Sequence, residues 1–256
     1  MGYSNLFDLR DKAAVVTGGA GLIGKEIARA LCDFGAKVYI ADKDEKAASS
    51  LLGDSRIKFI RFDITSEDSV KKGLKKIKQD NGRIDILVNS AYPKTRDWPA
   101  KLEKIRFDSW KKNVNDHLGG YFLCCRAASE WMKKQPGGGA IVNLASIYGM
   151  YAPDFSIYKG TVMTMPAAYA AIKGGIIAFT RYVASYYGRY NIRANCISPG
   201  GVYDNQPRVF VKRYIEKTAL GRMASAQDVV GAVLYLVSDA SKYVTGQNLV
   251  VDGGWR

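Results

Sequence analysis

Tyr169 and Lys173 have the residue types and the spacing for acid–base chemistry. They are spaced i, i+4 in a segment with helical periodicity, so we expect both side chains on one face of a helix. A phenol has a pKa of about 10, but a neighbouring cation favours phenolate and lowers that pKa. The pair predicts an acid–base group, with a packing tyrosine and a solvated lysine as the alternative. Ser146, after a predicted strand, could hold a carbonyl or alcohol oxygen.

A glycine-rich stretch near the N-terminus predicts a binding site for phosphates. Gly18, Gly21 and Gly24 follow the apolar run 13–17 and open a segment with helical spacing. Glycine lets the backbone approach a pyrophosphate, and the N–H groups of the helix start face the anion. Asp42 ends the next apolar run, where a carboxylate can accept hydrogen bonds from both hydroxyls of an adenosine ribose. A tight turn with a solvated aspartate is the alternative, but the order of these features favours dinucleotide binding.

Alternating strands and helices predict how these residues are positioned. Such alternation is typical of an α/β fold, in which right-handed crossovers build a doubly wound parallel sheet with helices on both faces. We expect about seven strands and one domain over residues 1–256. Strands are predicted at residues 13–17, 36–41, 57–62, 84–89, 138–145, 192–197 and 247–251, and helices at residues 22–34, 43–52, 66–80, 108–134, 167–189, 205–218 and 226–238.

Polar or small residues follow several of the predicted strands. Ligands of such sheets bind beyond the carboxyl ends of the strands, so these residues outline a cleft. Asp63 and Ile64 are placed to meet an adenine edge. The other residues of this kind are Asn89, Ser90, Ala91, Tyr92, Ser146, Ser198, Pro199, Gly200 and Gly201.

The composition is that of an ordinary soluble globule, with 47% apolar and 24% charged residues. The net charge of +14 could suggest a nucleic-acid partner, but the lysines are scattered along predicted helices, which argues against one. The four cysteines form no CxxC pair and predict reduced thiols, not a disulfide or zinc framework. No apolar run is long enough to span a bilayer. We therefore expect a cytoplasmic protein without a metal, a nucleic-acid partner or a membrane association.

Over about residues 11–254 the chain resembles the short-chain dehydrogenase/reductase family, in its single-domain branch. The resemblance implies a Rossmann fold, a homotetramer, and hydride transfer between a nicotinamide and a carbonyl or alcohol carbon. Tyr169 would exchange the proton, Lys173 would lower its pKa and bind the nicotinamide ribose, and Ser146 would orient the substrate oxygen. The segments that carry the likeness are Thr17-Gly18-Gly19-Ala20-Gly21-Leu22-Ile23-Gly24, Asn89-Ser90-Ala91, Ser146, Tyr169-x-x-x-Lys173, Ser198-Pro199-Gly200 and Val251-Asp252-Gly253-Gly254.

NAD is the preferred cofactor on this view, with NADP possible. Asp42 would repel a 2′-phosphate, whereas the adjacent Lys43 would partly offset that repulsion. The resemblance and the strand ends together give the cofactor-binding set Gly18, Gly21, Leu22, Ile23, Gly24, Asp42, Lys43, Asp63, Ile64, Asn89, Ser90, Ala91, Tyr169, Lys173, Pro199, Gly200 and Val202.

Three motif positions depart from the family pattern. The glycine turn has the spacing TGxxGxxG of the longer branch, and Tyr92 stands where the family has a glycine. Counting from Trp110 and Phe122, the family's catalytic Asn position falls on His117, the single histidine of the chain. His117 could replace the proton relay, join the proton transfer or merely pack, and we rank the relay first. As a relay it would add a limb to the pH profile between about pH 5.5 and 7.5.

Two longer segments are expected to shape the substrate pocket. An insert at about residues 147–166 is rich in tyrosine and methionine, and it should wall the pocket or seal a subunit contact. A segment at about 202–222 corresponds to the family's mobile lid, and its Arg208, Lys212 and Arg213 could grip an anion. Aromatic residues of the helices 108–134 and 167–189 would support subunit association: Tyr121, Phe122, Trp131, Phe179, Tyr182, Tyr186 and Tyr187.

The predicted function is NAD(P)-dependent interconversion of a secondary alcohol and a ketone on a small polar substrate, with an anionic or a sugar-like compound as the candidates. The insert and the stretch 198–207 also bear a slight resemblance to bacterial reductases linked to surface-glycan or flagellin modification. One alternative is an NADP-dependent 3-oxoacyl or other carbonyl reductase. Another, from a different class, is a catalytically silent nucleotide-binding sensor or scaffold, which His117 would favour and the intact Ser146, Tyr169 and Lys173 argue against.

Overall fold

A computed structural model describes residues 2–255, except for the side chain of Ser4. Within these residues, seven parallel strands form one sheet in the order β3-β2-β1-β4-β5-β6-β7, which confirms the predicted doubly wound fold. The strands are β1 (Ala13–Thr17), β2 (Lys37–Asp42), β3 (Ile57–Arg61), β4 (Ile86–Asn89), β5 (Gly139–Leu144), β6 (Ile192–Pro199) and β7 (Asn248–Val251).

Helices cover both faces of this sheet. They are α1 (Leu22–Asp33), α2 (Glu45–Ala48), α3 (Glu67–Asn81), α4 (Phe107–Val114), α5 (Gly120–Met132), α6 (Ala167–Tyr187), α7 (Arg208–Ile215) and α8 (Val230–Val237). The amphipathic α3 shows why such segments are helical: Val70, Leu74 and Ile77 are buried at helical spacing. The helix begins where Ser66 Oγ accepts from the N–H of Ser69, and ends at Gly82, whose φ is +73°.

Four predicted helices differ from the observed ones. The segment 108–134 is interrupted by a π-helical turn at Asn115–Gly119, between α4 and α5. The segment 43–52 forms α2 and a 3₁₀ turn at Ser49–Leu51, and 226–238 begins with a 3₁₀ turn before α8. The segment 205–218 yields the shorter α7, because Pro207 has an extended backbone and the chain after Ile215 turns towards Gly254, whose carbonyl accepts from Ala219.

The core lies in two layers, one on each face of the sheet. Successive residues of β1 alternate between them: Val15 packs on the side of α3, α5 and α6, and Val16 on the side of α1 and α8. Both faces of the central strands β1, β4 and β5 are buried, so these strands are mainly apolar and do not alternate with polar residues. The layers position the carboxyl ends of β1, β2, β4, β5 and β6 along one edge.

Candidate active site

A cavity of about 810 Å³ lies at this edge of the sheet. Seventeen of the residues predicted to bind the cofactor or to act on the substrate line it: Gly18, Gly21, Leu22, Ile23, Gly24, Asp42, Lys43, Asp63, Ile64, Ser90, Ala91, Ser146, Tyr169, Lys173, Pro199, Gly200 and Val202. Asn89 and His117 are absent from the lining.

Ser146, Tyr169 and Lys173 meet in the middle of the cavity. Ser146 caps a 3₁₀ turn, and its hydroxyl oxygen accepts from the N–H of Tyr148 at 3.2 Å. Tyr169 and Lys173 lie on the first turns of α6, with the Lys173 ammonium 5.5 Å from the centroid of the Tyr169 ring. Lys173 is 4% exposed, and its ammonium donates to the carbonyl oxygen of Leu144 at 2.6 Å.

Burial is the main cause of the pKa shifts of Lys173 and Tyr169. It lowers the pKa of Lys173 to about 7, because a charged ammonium is poorly solvated there. It also raises the pKa of Tyr169, and a hydrogen bond with Ser146 offsets this only in part. The net pKa of Tyr169 is therefore raised, whereas Lys173 was expected to lower it. The physical reason is that burial acts on both groups, and that a lysine of pKa about 7 is not a full positive charge at neutral pH.

The glycine turn after β1 fits a dinucleotide pyrophosphate despite its unusual spacing. Gly18 has φ +65°, and a Cβ there would lie 2.6 Å from Cα of Ala91. A Cβ on Gly24 would lie 2.1 Å from the carbonyl oxygen of Gly18, so α1 starts directly against the turn. No side chain caps the N-terminus of α1. Its first N–H groups can therefore take an anion, as expected of a phosphate cradle.

Asp42 and Lys43 are both held by neighbours at the end of β2. One carboxylate oxygen of Asp42 accepts from the N–H of Ala20 at 3.0 Å, and the other accepts from the N–H of Lys43 at 2.7 Å. The Lys43 ammonium forms an ion pair with Asp63 at 2.8 Å. Burial raises the pKa of Asp63, but Lys43 and Thr65 outweigh it, so the net pKa is lowered. Asp42 therefore faces the cavity in a fixed position, while Lys43, which also lines the cavity, is paired with Asp63.

Asn89, predicted to bind the cofactor, lies beneath the cavity and not in its lining. It is fully buried at the end of β4, where its amide donates to Asn143 at 2.9 Å and its oxygen accepts from Thr17 at 3.2 Å. Asn143 in turn donates to Thr180 of α6 at 2.9 Å. Asn89 belongs to a polar network that ties β1, β4, β5 and α6 together beneath the cavity.

His117 lies in the π-helical turn behind Tyr92. The side chain is 0% exposed, and neither ring nitrogen has a hydrogen-bond partner among residues 2–255. The rings of Tyr92 and Tyr121 contact it edge-on, each with centroids 5.3 Å away. Burial and the nearby Lys173 place the His117 pKa well below its usual value. This shift favours the neutral imidazole and argues against the predicted titration limb between about pH 5.5 and 7.5.

The far half of the cavity is aromatic and rich in methionine. From the insert, Tyr148, Tyr158, Met163 and Met165 line the cavity, so this segment forms a pocket wall. Tyr92 of the predicted cleft and Phe210 and Tyr214 of the lid segment complete this wall. Trp98 and Met223 also line it, and the sequence did not indicate them because distant segments contribute them.

The basic residues of the lid do not face this wall. Phe210 and Tyr214 are the buried face of α7, and they pack against Ile157 and Tyr158. Arg208, Lys212 and Arg213 are absent from the cavity lining, and the guanidinium of Arg213 donates to the carbonyl of Lys159. The predicted anion grip is therefore wrong, because the apolar residues of α7 occupy the cavity side.

The aromatic residues expected on the outer surface divide into three groups, one of which is the partly buried pair Trp131 and Phe179. Tyr121 and Tyr187 are buried in the core and cannot support subunit contacts. Phe122, Tyr182 and Tyr186 are exposed, and the last two rings stack with centroids 5.8 Å apart. Across residues 2–255, none of the helices combines the length and the apolar character needed to cross a bilayer.

Comparison with known proteins agrees with this geometry. The family model described as enoyl-(acyl carrier protein) reductase matches residues 18–256. The chain is 35% identical over 254 residues to post-translational flagellin modification protein A of Campylobacter coli, covering 96% of this chain and 99% of the relative. A short-chain dehydrogenase from Leptospira borgpetersenii, solved with bound NAD+, is similar at 36% identity and TM-score 0.86, covering 99% and 95%. A gluconate 5-dehydrogenase from Burkholderia cenocepacia, solved with NADP and tartrate, is similar at 29% identity and TM-score 0.86, covering 97% and 96%.

Proposed function

This chain belongs to the short-chain dehydrogenase/reductase family, and we propose that it interconverts the secondary alcohol and the ketone of a small, uncharged, sugar-like substrate with NAD(H). It is an NAD(P)-dependent oxidoreductase acting on CH–OH groups. The observation that carries the proposal is the convergence of Ser146, Tyr169 and Lys173 on the cavity that also contains the dinucleotide cradle.

The chain's own residues divide the work around the dinucleotide. The turn Gly18–Gly24 would hold the pyrophosphate, Asp42 the adenosine ribose, and Lys173 the nicotinamide ribose. A bound nicotinamide supplies or accepts the hydride. Tyr169 donates a proton to the ketone oxygen during reduction and takes it from the alcohol during oxidation. Ser146 orients that oxygen by a hydrogen bond.

Lys173 and His117 are proposed to serve the proton path. With a pKa of about 7, Lys173 can take up or release a proton at neutral pH. A neutral imidazole such as His117 can pass a proton on without becoming charged overall, because one nitrogen donates while the other accepts. The charge of Lys173 acts on the His117 pKa, and this coupling of the two side chains supports a shared role.

The aromatic wall supports a neutral, sugar-like substrate. Aromatic rings pack against the apolar faces of a sugar ring, and tyrosine hydroxyls can bond to its hydroxyls. The buried hydroxyl of Tyr148 lies beside that of Tyr158, and it is suited to a polar group of the substrate. Lys43 and Lys173 are the only cations that line the cavity among the described residues, and Lys43 is paired with Asp63. This argues against an anionic substrate.

Preference for NAD(H) follows from the fixed position of Asp42. Its carboxylate would repel a 2′-phosphate, and Lys43 is engaged by Asp63 instead of offsetting that charge. We further propose a single dinucleotide-binding domain over residues 1–256 and a cytoplasmic homotetramer. The exposed residues Phe122, Tyr182 and Tyr186 support the subunit contact.

A steady-state assay with both cofactors tests the proposal. The panel should include sugar ketones, polyols, sugar acids, a 3-oxoacyl thioester and an apolar cyclic ketone. Turnover with neutral sugars or polyols and NAD(H) is expected. Preference for the thioester or the apolar ketone with NADP(H) would support a carbonyl reductase instead, for which Met163, Met165 and Met223 of the wall are suited. Tight dinucleotide binding without turnover of any member would support a silent sensor or scaffold.

A further inference from the structure

The loop after β4 packs Tyr92 between the catalytic tyrosine and the single histidine. The Tyr92 ring contacts His117 edge-on at a centroid distance of 5.3 Å and Tyr169 at 5.8 Å. Trp98 contacts the same ring at 5.6 Å, and the Lys173 ammonium lies 6.0 Å from its centroid. Tyr92 lines the cavity and His117 does not, so the Tyr92 ring stands between the cavity and the imidazole.

A second contact fixes this loop to the same helical segment. Asn113 of α4 accepts from the N–H of Thr95 at 3.0 Å and donates to the Thr95 hydroxyl at 2.9 Å. Asn113 is buried and precedes His117 by four residues. The segment therefore holds the loop at two points, through Asn113 at Thr95 and through His117 at Tyr92.

Among the described residues, His117 is enclosed on all sides, since its side chain is 0% exposed. Tyr121 covers one side from α5 and Tyr92 the other from the loop. The ionisable groups shown near it are Lys173 of α6, whose charge lowers the His117 pKa, and the two tyrosines that contact its ring. The adjacent Asp116 is directed elsewhere, because it forms an ion pair with Lys112 at 2.7 Å. Among the described residues, no carboxylate acts on the His117 pKa.

We propose that Tyr92 is a positioning residue, whose ring closes the cavity side of His117 and keeps the imidazole neutral and dry beside Lys173. Only the effect of Tyr92 on turnover rests on the proposed function. The effect of Tyr92 on the protonation of His117 is expected whether or not the protein catalyses that reaction. Without the ring, water would reach the imidazole and His117 would titrate near its ordinary pKa of about 6.5. An imidazolium beside Lys173 would then disfavour the charged form of the lysine.

NMR of the imidazole tests the closure directly, because the chain has one histidine and its ring signals need no assignment. We expect no titration of His117 between about pH 5.5 and 8 in the wild type, and titration near pH 6.5 in Tyr92→Ala. Tyr92→Phe retains the ring and should behave as the wild type. Tyr243→Ala is the matched control, because Tyr243 is fully exposed and contacts no aromatic ring among residues 2–255.

Two results would overturn the proposal. One is titration of wild-type His117 in that range, which remains decisive if Tyr92→Ala does not fold. The other is a folded Tyr92→Ala in which the imidazole still does not titrate. Kinetics supply a second measurement: Tyr92→Ala should gain an acidic limb in kcat near pH 6.5 that Tyr92→Ala/His117→Asn lacks. A limb that persists in the double variant would contradict the assignment to His117. If no variant turns over any substrate, the proposed function fails while the NMR result still decides the role of Tyr92.

Discussion

The ammonium of Lys173 lies 2.6 Å from the carbonyl oxygen of Leu144, the last residue of β5. The sheet therefore holds the lysine at the point where its strands open into the cavity. One carbonyl partner does not replace full hydration, and burial lowers the pKa of Lys173 to about 7. The catalytic helix thus carries a base that changes its charge at neutral pH.

This shift makes a prediction about stability. An unfolded lysine keeps its proton up to about pH 10.4, whereas folded Lys173 loses it above about pH 7, so its contribution to stability rises with pH between these values. Lys173→Met, which has no charge to bury, should be more stable than the wild type by about 1–3 kcal/mol at pH 7. The difference should shrink towards pH 10. Denaturant unfolding of both proteins across this range measures it, and a difference that does not change with pH would contradict the burial argument.

Cofactor choice should depend on Asp42. We expect NAD(H) to bind at least about tenfold more tightly than NADP(H), because the fixed carboxylate repels a 2′-phosphate. Asp42→Asn should reduce this ratio, and Lys43→Ala should leave it nearly unchanged, since Lys43 is paired with Asp63. Fluorescence titration of the reduced cofactors gives both constants. Equal or tighter binding of NADP(H) by the wild type would refute the assignment.

Gly24 should not tolerate alanine. The added Cβ would lie 2.1 Å from the carbonyl oxygen of Gly18, so α1 would have to move away from the phosphate turn. We expect dinucleotide affinity to fall by more than about tenfold. Gly231→Ala is the control, because nothing lies within 4 Å of its Cβ. In α8 that substitution should stabilise the protein by about 0.5–1 kcal/mol. Unchanged dinucleotide binding in Gly24→Ala would contradict the proposed cradle.

Subunit association should depend on the exposed aromatic residues of α5 and α6. Light scattering should give a tetramer for the wild type at micromolar concentration. The double variant Tyr182→Lys/Tyr186→Lys should dissociate, because lysine at both stacked positions replaces apolar surface by like charges. Tyr243→Lys, at an exposed position outside this cluster, should remain associated. A monomeric wild type would count against the oligomer.

The sequence predicts this fold closely because its central strands β1, β4 and β5 are buried on both faces. All seven strands lie within two residues of their predicted positions, since continuous apolar runs between glycines and polar residues are hard to mistake. The π-helical turn was not predicted. A π turn accommodates one extra residue in the hydrogen-bond register of a helix. The periodicity of the side chains near His117 does not reveal that residue.

The residues of the candidate site were likewise predictable only in part. Gly18, Asp42 and Tyr169 are predictable because a local motif fixes their geometry. Tertiary packing decides the rest: the direction of α7, which turns Phe210 inward and Arg208 outward, and the burial of Asn89 between Thr17 and Asn143. The contact between Tyr92 and His117 joins residues 25 positions apart, although each is visible in the sequence as a departure from the family pattern.

The substitution Tyr169→Phe tests whether the Tyr169 hydroxyl exchanges the proton with the substrate oxygen. It removes the proton-exchanging hydroxyl and keeps the ring that packs against Tyr92 and Trp98. We expect kcat to fall by at least about a hundredfold, while the dissociation constant for NADH stays within about threefold of the wild type. The measurement pairs steady-state turnover, on the best substrate of the panel, with a cofactor titration on the same preparation. Near-normal turnover by Tyr169→Phe would show that another group exchanges the proton and would contradict the account.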